Sequence, residues 1–250
     1  MDEKTARALN RLNVTFYRER AAEFSAKRER PWAGWNRLIP LLPELPLHVL
    51  DVGCGNGRLG TFLAARRPVE RYVGVDASAP LLAEARAALP PTLATELHCA
   101  DFFETRPAEV LPAGPFTLVA LFGVLHGVPG QARRRELLAA AASRVAPGGL
   151  LAVTCWRFVE EPALRRRIVA WDAPAARAAG VDPDRLEPGD HLLAWGVGDA
   201  VRFAHAIDED EITRLTAGLP LEPVARFSSD GRGQALNRYL VLRATPGKAG

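Results

Sequence analysis

Residues 47–60, LHVLDVGCGNGRLG, constrain the fold more than any other part of this sequence. An apolar run ends in a carboxylate, Asp51, and glycines follow at alternate positions, at Gly53, Gly55 and Gly57. A charge that enters a sheet costs free energy unless a partner replaces its lost hydration. Glycine accepts backbone conformations and close contacts that a Cβ would forbid. The segment therefore predicts a buried strand that carries a rigid carboxylate to a tight, ligand-binding loop.

Strand and helix patterns alternate from this segment onward. Apolar runs predict strands over residues 47–53, 71–76, 94–100, 116–122 and 150–156. Helical patterns predict helices over residues 58–66, 80–89 and 131–145, with a short helical turn over 104–111. This alternation is typical of a doubly wound parallel sheet with helices on both faces, so the sequence predicts an α/β fold.

The sequence predicts a single domain, residues 1–250, in four parts. An N-terminal helical segment (1–45) precedes a ligand-binding half (46–156), and a cap insertion (157–207) precedes a C-terminal helix and hairpin (208–244). Helices are predicted over 4–28, 32–42, 163–179 and 208–219, and the last two strands over 224–228 and 236–243. The spacing of Asp208 and Glu211 predicts a capping box, and the tail after residue 244 is expected to fray.

Composition excludes several classes of protein. No apolar run approaches the ~20 residues that span a bilayer, and the N-terminus lacks the apolar region of a secretory signal, so we expect a cytoplasmic protein without a membrane partner. Cys54, Cys99 and Cys155 form no CxxC pair, so neither a disulfide framework nor a metal site is expected. Residues 4–37 hold nine Lys and Arg but three Glu, which fits either an RNA-binding face or a solvated helix; no DNA partner is expected.

Three motifs share one register. GNGRLG spells the dinucleotide fingerprint GxGxxG, but it begins four residues beyond Asp51. The string that starts at Asp51 is DxGxGxG, while RYVGVDAS and HCADFF place Asp76 and Asp101 at the ends of the next two strands. Together these motifs resemble those of the class I S-adenosylmethionine (SAM) methyltransferases. The resemblance implies a Rossmann-like seven-stranded sheet of order 3-2-1-4-5-7-6 with the last strand antiparallel, and SAM as cofactor.

The resemblance also implies a set of cofactor contacts. Asp51 would accept hydrogen bonds from loop amides or from the ammonium group of SAM, Asp76 would bind the ribose hydroxyls, and Asp101 would face the adenine amino group. Phe102 would stack on the adenine, and an N-terminal tyrosine would close over the ligand. The predicted cofactor residues are Tyr17, Asp51, Gly53, Cys54, Gly55, Asn56, Gly57, Asp76, Ala77, Asp101, Phe102 and Phe122.

A narrower resemblance covers most of the chain, including the cap. The segments FSAKRERPW, VLHG, GDHLLAW, RFAH and NRYLVL occur in one order. They resemble motifs of the tRNA methyltransferases that esterify a carboxymethyl group on wobble uridine, which implies a tRNA substrate and a small zinc-binding activator subunit. The chain departs from that family's pattern at Thr117, Gly127, Ala194 and Ala204.

Methyl transfer to a carboxylate makes modest demands on side chains. The nucleophile is ionised at pH 7 and needs no general base, so the enzyme must mainly hold it with cations and position it. The predicted catalytic residues are Arg28, His126 and Arg202, and the predicted substrate contacts are Arg30, Trp156, Trp195 and His205. Three alternatives stay open: a small-molecule carboxyl or hydroxyl methyltransferase, a catalytically silent SAM- or RNA-binding subunit, and an NAD-dependent dehydrogenase.

Overall fold

The computed structural model describes residues 1–28, 30–196 and 200–245. Within them, the strands are β1 Leu47–Val52, β2 Val69–Asp76, β3 Thr95–Cys99, β4 Phe116–Leu121, β5 Val145–Trp156, β6 Ile168–Val169, β7 Asp190–Ala194, β8 Val201–His205, β9 Leu221–Ser229 and β10 Asn237–Ala244. The α-helices are α1 Glu3–Glu19, α2 Ala21–Ala26, α3 Arg58–Ala64, α4 Ala79–Ala88, α5 Pro107–Val110, α6 Gln131–Ala142, α7 Pro162–Arg165, α8 Pro174–Ala179 and α9 Glu209–Thr216.

A seven-stranded sheet organises the molecule, in the order β3-β2-β1-β4-β5-β10-β9. Strands β1 to β5 run parallel to one another, whereas β10 runs antiparallel to both β5 and β9. Because β9 and β10 are the sixth and seventh strands of this sheet, the predicted order and the reversed last strand are confirmed. The carboxyl ends of β1, β2 and β3 meet at one edge, which is where open α/β sheets bind ligands.

Helices cover both faces of this sheet, as the sequence predicts. Leu50 and Val52 of β1 belong to one buried cluster, which includes Leu137 of α6. Val49, directly before Leu50 in the strand, belongs to the opposite cluster together with Phe62 of α3. Side chains alternate across a strand, so a continuous apolar run buries both faces of the sheet at once.

The N-terminal segment, where the sequence predicts a helix over 4–28 with a break near Tyr17, forms two α-helices. Helix α1 begins at Asp2, whose carboxylate accepts a hydrogen bond from the backbone N–H of Thr5 at 2.8 Å. It ends at Arg20, and the shorter helix α2 follows directly. The predicted helix over 32–42 is instead a pair of 3₁₀ turns, Ala33–Arg37 and Ile39–Leu41.

The cap differs most from its prediction. A helix over 163–179 was expected, but α7, β6 and α8 occupy that stretch. Pro174 explains the division, because proline lacks the N–H that a continuing helix needs and favours the first helical position. Strands β6, β7 and β8 form a second, antiparallel sheet that the sequence analysis did not predict. Residues 197–199, between β7 and β8, lie outside the described residues.

The C-terminal part matches its prediction more closely. The carboxylate of Asp208 accepts from the N–H of Glu211 at 2.7 Å and caps α9, and the predicted hairpin is formed by β9 and β10. The expected fraying of the tail concerns residues that, from 246 onward, lie outside the described part of the chain. Among the described helices, none is both long and apolar enough to cross a bilayer.

Candidate active site

A cavity of about 1130 Å³ lies at the carboxyl edge of the main sheet, beneath the cap. We call one side of it the cofactor half, lined by residues Asp51, Gly53, Gly55, Asp76, Asp101 and Phe102. We call the other side the cap half, lined by residues Tyr17, Phe24, Arg28, Trp156, Trp195 and Arg202. The structure thus brings together all the predicted site residues except Gly57 and His205.

The glycine loop follows β1 and is tied to β2. The backbone N–H groups of Gly53 and Cys54 both donate to the carbonyl of Val75, at 2.7 and 3.1 Å. Gly53, Gly55 and Gly57 have φ angles of 73°, 54° and 73°, in the left-handed region that favours glycine. The loop therefore needs glycine at all three positions for conformational reasons alone.

The three glycines differ in what a side chain would meet. A Cβ on Gly53 would collide with Val124, and a Cβ on Gly57 would lie 3.0 Å from the Cβ of Ala85 on α4. A Cβ on Gly55 would have no protein atom within 4 Å among the described residues. Of the three, only Gly55 thus leaves bare backbone open to a ligand, whereas Gly53 and Gly57 are required by contacts within the protein.

Asp51 is 3% exposed and lies within β1 rather than beyond its end. The Tyr72 hydroxyl on β2 donates to its carboxylate at 2.6 Å, a partner that the sequence analysis did not name. Burial raises the pKa of Asp51 to about 7, although the bond from Tyr72 acts in the opposite direction. Arg58, at the start of α3, lines the same cavity, and burial lowers its pKa to about 10 while the charge of Asp51 opposes that shift.

The other two carboxylates of the cofactor half are held by backbone and amide donors. Asp76 accepts from the N–H groups of Gly55 and Ser78 at 2.8 and 2.9 Å. Asp101 accepts from the N–H of Phe103 at 2.8 Å and from the side-chain amide of Asn10, on α1, at 2.9 Å. Each carboxylate oxygen can accept a second hydrogen bond, so both groups are oriented and still able to bind a ligand.

The remaining predicted cofactor residues have identifiable partners. The Asn56 amide donates to the Ser25 hydroxyl at 2.9 Å, which joins the glycine loop to α2. The Phe122 ring packs between Trp35 and Tyr239, with centroids 5.9 and 5.8 Å away. Cys54 is buried, whereas Ala77 and Phe102 line the cavity wall.

Arg202, on β8, is only 5% exposed. It donates to the Tyr17 hydroxyl at 3.0 Å, and its guanidinium carbon lies 4.8 Å from the Trp156 ring centroid and 5.3 Å from that of Trp195. Among the described residues, no carboxylate lies within 4 Å of this guanidinium. A buried charge without a counter-ion is expensive, so this position is suited to an anionic ligand.

A second guanidinium, that of Arg28, enters the cap half from the turn that follows α2. The guanidinium carbon of Arg28 lies 3.4 Å from the Phe24 ring centroid, and the group donates to the Phe24 carbonyl at 3.3 Å. Burial, followed by the charge of Arg202, lowers the pKa of Arg28 to about 9, so it stays protonated at pH 7. Arg30 lines the rim as an exposed side chain.

His126 lies between the two halves, in the 3₁₀ turn that follows β4. Its ring is buried, 4.9 Å from Trp156 between centroids, and its Nδ1 has no hydrogen-bond partner in the described chain. Burial, with the nearby Arg202 and Arg28 guanidiniums, lowers the pKa of His126 to about 3. The imidazole is therefore neutral at pH 7 and adds no charge to the cavity.

His205 does not line the cavity, contrary to prediction. It is buried with Nδ1 2.6 Å from Asp190 and Nε2 2.7 Å from Glu211. Arg134 of α6 completes the network, contacting Glu211 at 2.8 Å and Glu187 at 2.6 Å. The reason is geometric: Arg202 and His205 are three residues apart in one strand, so their side chains leave opposite faces.

Three residues of this network could in principle bind a metal ion. Within the described part of the chain, the ligand atoms of Glu187, Asp190 and His205 lie within 4.8 Å of one another. Their ligand atoms already contact Arg134 and each other at 2.6 Å. The group is thus an ion-pair network that joins the cap sheet to α6 and α9, and the arginine occupies the place of a cation.

Comparisons with known proteins agree with this geometry. A family model described as a methyltransferase domain matches residues 50–151. The trans-aconitate 2-methyltransferase of Streptomyces coelicolor is 36% identical over 234 residues, which cover 87% of this chain and 75% of that protein. The one from Methylobacterium nodulans is 35% identical over 177 residues, covering 69% of this chain. The chain spans 64% of the length of the Methylobacterium nodulans protein. It spans 45% of the length of another trans-aconitate 2-methyltransferase, from Streptomyces avermitilis.

Solved structures share the fold at lower identity. A SAM-dependent methyltransferase from Methanosarcina mazei superposes with a TM-score of 0.62 and 18% identity, covering 84% of this chain and 97% of that one. CalS10, an amino pentose methyltransferase from Micromonospora echinaspora solved with SAM, superposes with a TM-score of 0.55 and 21% identity, covering 92% of both chains.

The seven-stranded sheet with its reversed strand, and the carboxylates around the open backbone of the glycine loop, are features of the class I methyltransferase fold. The chain belongs to the family of SAM-dependent methyltransferases. The relatives named above are trans-aconitate 2-methyltransferases rather than tRNA methyltransferases, so the narrower resemblance to the wobble-uridine enzymes gains no support from them.

Proposed function

We propose that this enzyme transfers the methyl group of SAM to a carboxylate of a small polycarboxylic acid, of the kind that trans-aconitate represents. One observation carries the proposal: Arg202 is buried in the cap half without a carboxylate partner among the described residues, and Arg28 accompanies it. The names of the relatives support the same substrate class.

The cofactor half has the donors and acceptors that SAM requires. Asp76 would accept from the ribose hydroxyls, Asp101 from the adenine amino group and Asp51 from the ammonium group. The open backbone at Gly55 fits this assignment, since a ligand can approach it without meeting a side chain. Bound SAM supplies an activated methyl group on a sulfonium centre.

The chain's own residues would position the acceptor. Arg202 and Arg28 would hold carboxylates through bidentate, charge-assisted hydrogen bonds. The rings of Trp156 and Trp195 would exclude water, which strengthens these interactions. Neutral His126 would contact the acceptor without attracting the reacting oxygen as a cation would.

The charge balance favours more than one carboxylate in the substrate. Two guanidiniums in one apolar chamber repel each other, and the charge of Arg202 contributes to the lowered pKa of Arg28. An anion with two or more charges would neutralise both groups at once, whereas a monocarboxylate would leave one of them uncompensated. We therefore expect a di- or tricarboxylate to be preferred.

The contacts of the basic N-terminal residues favour a small acid over tRNA. Arg7 pairs with Glu3 and Glu104, and Lys27 pairs with Glu23. Paired surface cations contribute less to the positive field that attracts nucleic acid. The tRNA substrate, the activator subunit and the cytoplasmic location stay predictions.

A direct assay tests the proposal. The purified protein is incubated with SAM and, separately, with trans-aconitate, the monocarboxylate crotonate and bulk tRNA at several salt concentrations, and products are analysed by mass spectrometry. We expect a monomethyl ester of trans-aconitate, with kcat/KM at least about tenfold above that for crotonate, the size of one lost charge-assisted contact. A methyl ester on tRNA nucleosides without ester on either acid would overturn the proposal.

A further inference from the structure

Asn13 lies on the inner face of α1 and is 5% exposed. Both ends of its side-chain amide are used. The amide nitrogen donates to the carbonyl of Gly127 at 3.0 Å, and the amide oxygen accepts from the backbone N–H of Phe203 at 2.9 Å. One side chain thus connects the turn after β4 with strand β8 of the cap.

The bond to Phe203 has a structural cause. Strand β8 is the edge strand of the sheet β6-β7-β8, and Phe203 pairs with Leu192 of β7 on one side only. Backbone N–H groups on the free edge of a buried strand need partners from elsewhere. Asn13 supplies that partner, so the docking of β8 against α1 depends on this amide.

The two backbone contacts lie beside the residues predicted to hold the acceptor. Gly127 directly follows His126, and Phe203 directly follows Arg202. The rings and charges of those two neighbours meet at Trp156, at 4.9 Å for the imidazole centroid and 4.8 Å for the guanidinium carbon. Asn13 therefore fixes the distance between the turn after β4 and strand β8 of the cap.

We propose that Asn13 is a positioning residue that holds Arg202 at a set distance from His126, so that a bound carboxylate meets the methyl donor in the reactive orientation. The inference rests on the proposed function for its kinetic consequence, but its structural part does not. Misplacement of a reacting group by as little as about 1 Å can greatly slow a transfer reaction.

The same helix offers matched comparisons. Asn10 lies one turn earlier on the same face and donates to Asp101 of the cofactor half, so its loss should weaken SAM binding. Thr15 lies on the exposed face of α1 and serves as a control for changes to the helix itself. Asn13→Leu removes both hydrogen bonds with little change in volume, and Asn13→Asp keeps the acceptor for Phe203 while losing the donor to Gly127.

The test combines kinetics, calorimetry and hydrogen exchange on the full chain. For Asn13→Leu we expect the Kd of SAM within about twofold of wild type and kcat/KM for trans-aconitate lower by about 10- to 30-fold, the size of two hydrogen bonds. The amide of Phe203 should exchange faster in Asn13→Leu and stay protected in Asn13→Asp. Thr15→Ala should change none of these quantities.

Several outcomes would overturn the positioning role. One is a loss of activity in Thr15→Ala equal to that in Asn13→Leu, and another is a rise in the Kd of SAM that accounts for the whole effect. If the wild-type protein esterifies no acid, the proposed function fails. Hydrogen exchange at the Phe203 amide then becomes the test of the structural role of Asn13. Unchanged protection of Phe203 in Asn13→Leu would then reject the inference. If Asn13→Leu does not fold, Asn13→Asp must show faster exchange in residues 124–130 for the inference to stand.

Discussion

The cofactor half and the cap half of the cavity differ in the sign of their charges and in whether the protein itself satisfies them. Asp51, Asp76 and Asp101 each accept at least one hydrogen bond from the protein. In the cap half, Arg28 and Arg202 have no carboxylate partner among the described residues. The first half is organised before a ligand arrives, whereas the second leaves its charge for the ligand to neutralise.

Under the proposed function, this difference would sort the two reactants. SAM carries a positive sulfonium and a carboxylic acid carries negative charge, so each is attracted to the half of opposite sign. The neutral imidazole of His126, with a pKa near 3, lies between them and favours neither. Charge alone would therefore orient the two proposed substrates in opposite directions across the cavity.

The largest expected effect comes from Arg202. Arg202→Met should lower kcat/KM for trans-aconitate by about 100- to 1000-fold, the range for removing one partner of a buried charge pair. The Kd of SAM, measured by calorimetry, should stay within about twofold. The melting temperature should not fall, because the variant removes an uncompensated buried charge. An equal loss of SAM affinity would show that the two halves are not independent. Arg165→Ala, at an exposed position of the cap outside the cavity lining, is the control.

The cofactor half should respond in the opposite way. Asp76→Ala should weaken SAM binding by about 1–3 kcal/mol, since it removes charge-assisted hydrogen bonds, while the KM for the acid should change little. Titration calorimetry with SAM and steady-state kinetics at saturating SAM separate the two quantities. A variant that binds SAM normally but fails to bind the acid would reverse the assignment of the two halves.

A smaller effect concerns pH. The carboxylate of Asp51 must be ionised to bind an ammonium group, and its pKa of about 7 leaves much of it protonated below that pH. SAM affinity should therefore fall about tenfold between pH 8 and pH 6. Tyr72→Phe removes the donor to the carboxylate and should shift this profile to higher pH. Asp51→Asn should abolish the dependence, and a flat wild-type profile would contradict the assignment.

The smallest effect should be on stability. Although burial lowers the pKa of His205, hydrogen bonds to Asp190 and Glu211 raise it above its usual value. A raised histidine pKa contributes stability that is fully present below its unfolded pKa, near 6.5, and is lost as pH rises through the folded pKa. Urea titrations from pH 6 to pH 9 should show this decline, and His205→Gln should flatten it. A wild-type stability that rises over this range would disprove the protonated network.

Local sequence was enough to predict the cofactor half. The carboxylates follow apolar runs directly, and strand ends meet at one edge in a parallel sheet, so Asp51, Asp76 and Asp101 could be placed together. The partner of Asp51 could not be predicted, since Tyr72 is 21 positions away and its contact depends on the pairing of β1 with β2.

The cap was predicted less well because its elements are short. Strand β6 has two residues, too few to show a periodic pattern. Pro174 interrupts the helical pattern, because it begins a new helix, α8. The sequence does contain the signal that separates His205 from the cavity. Its odd spacing from Arg202 in one strand puts the two side chains on opposite faces. Its partners Asp190 and Glu211 lie on β7 and α9, so these contacts depend on how the two elements pack against β8.

Helix α1 precedes β4 and the cap in the sequence, yet the contacts that fix it are made with these later segments. Its hydrogen bonds from Asn10 and Asn13 join residues 91, 114 and 190 positions further along. Contacts between such distant positions form slowly, since a long loop must close first. During synthesis α1 therefore stays undocked until the cap has been translated, and the cavity is complete only after β8 has folded back onto this helix.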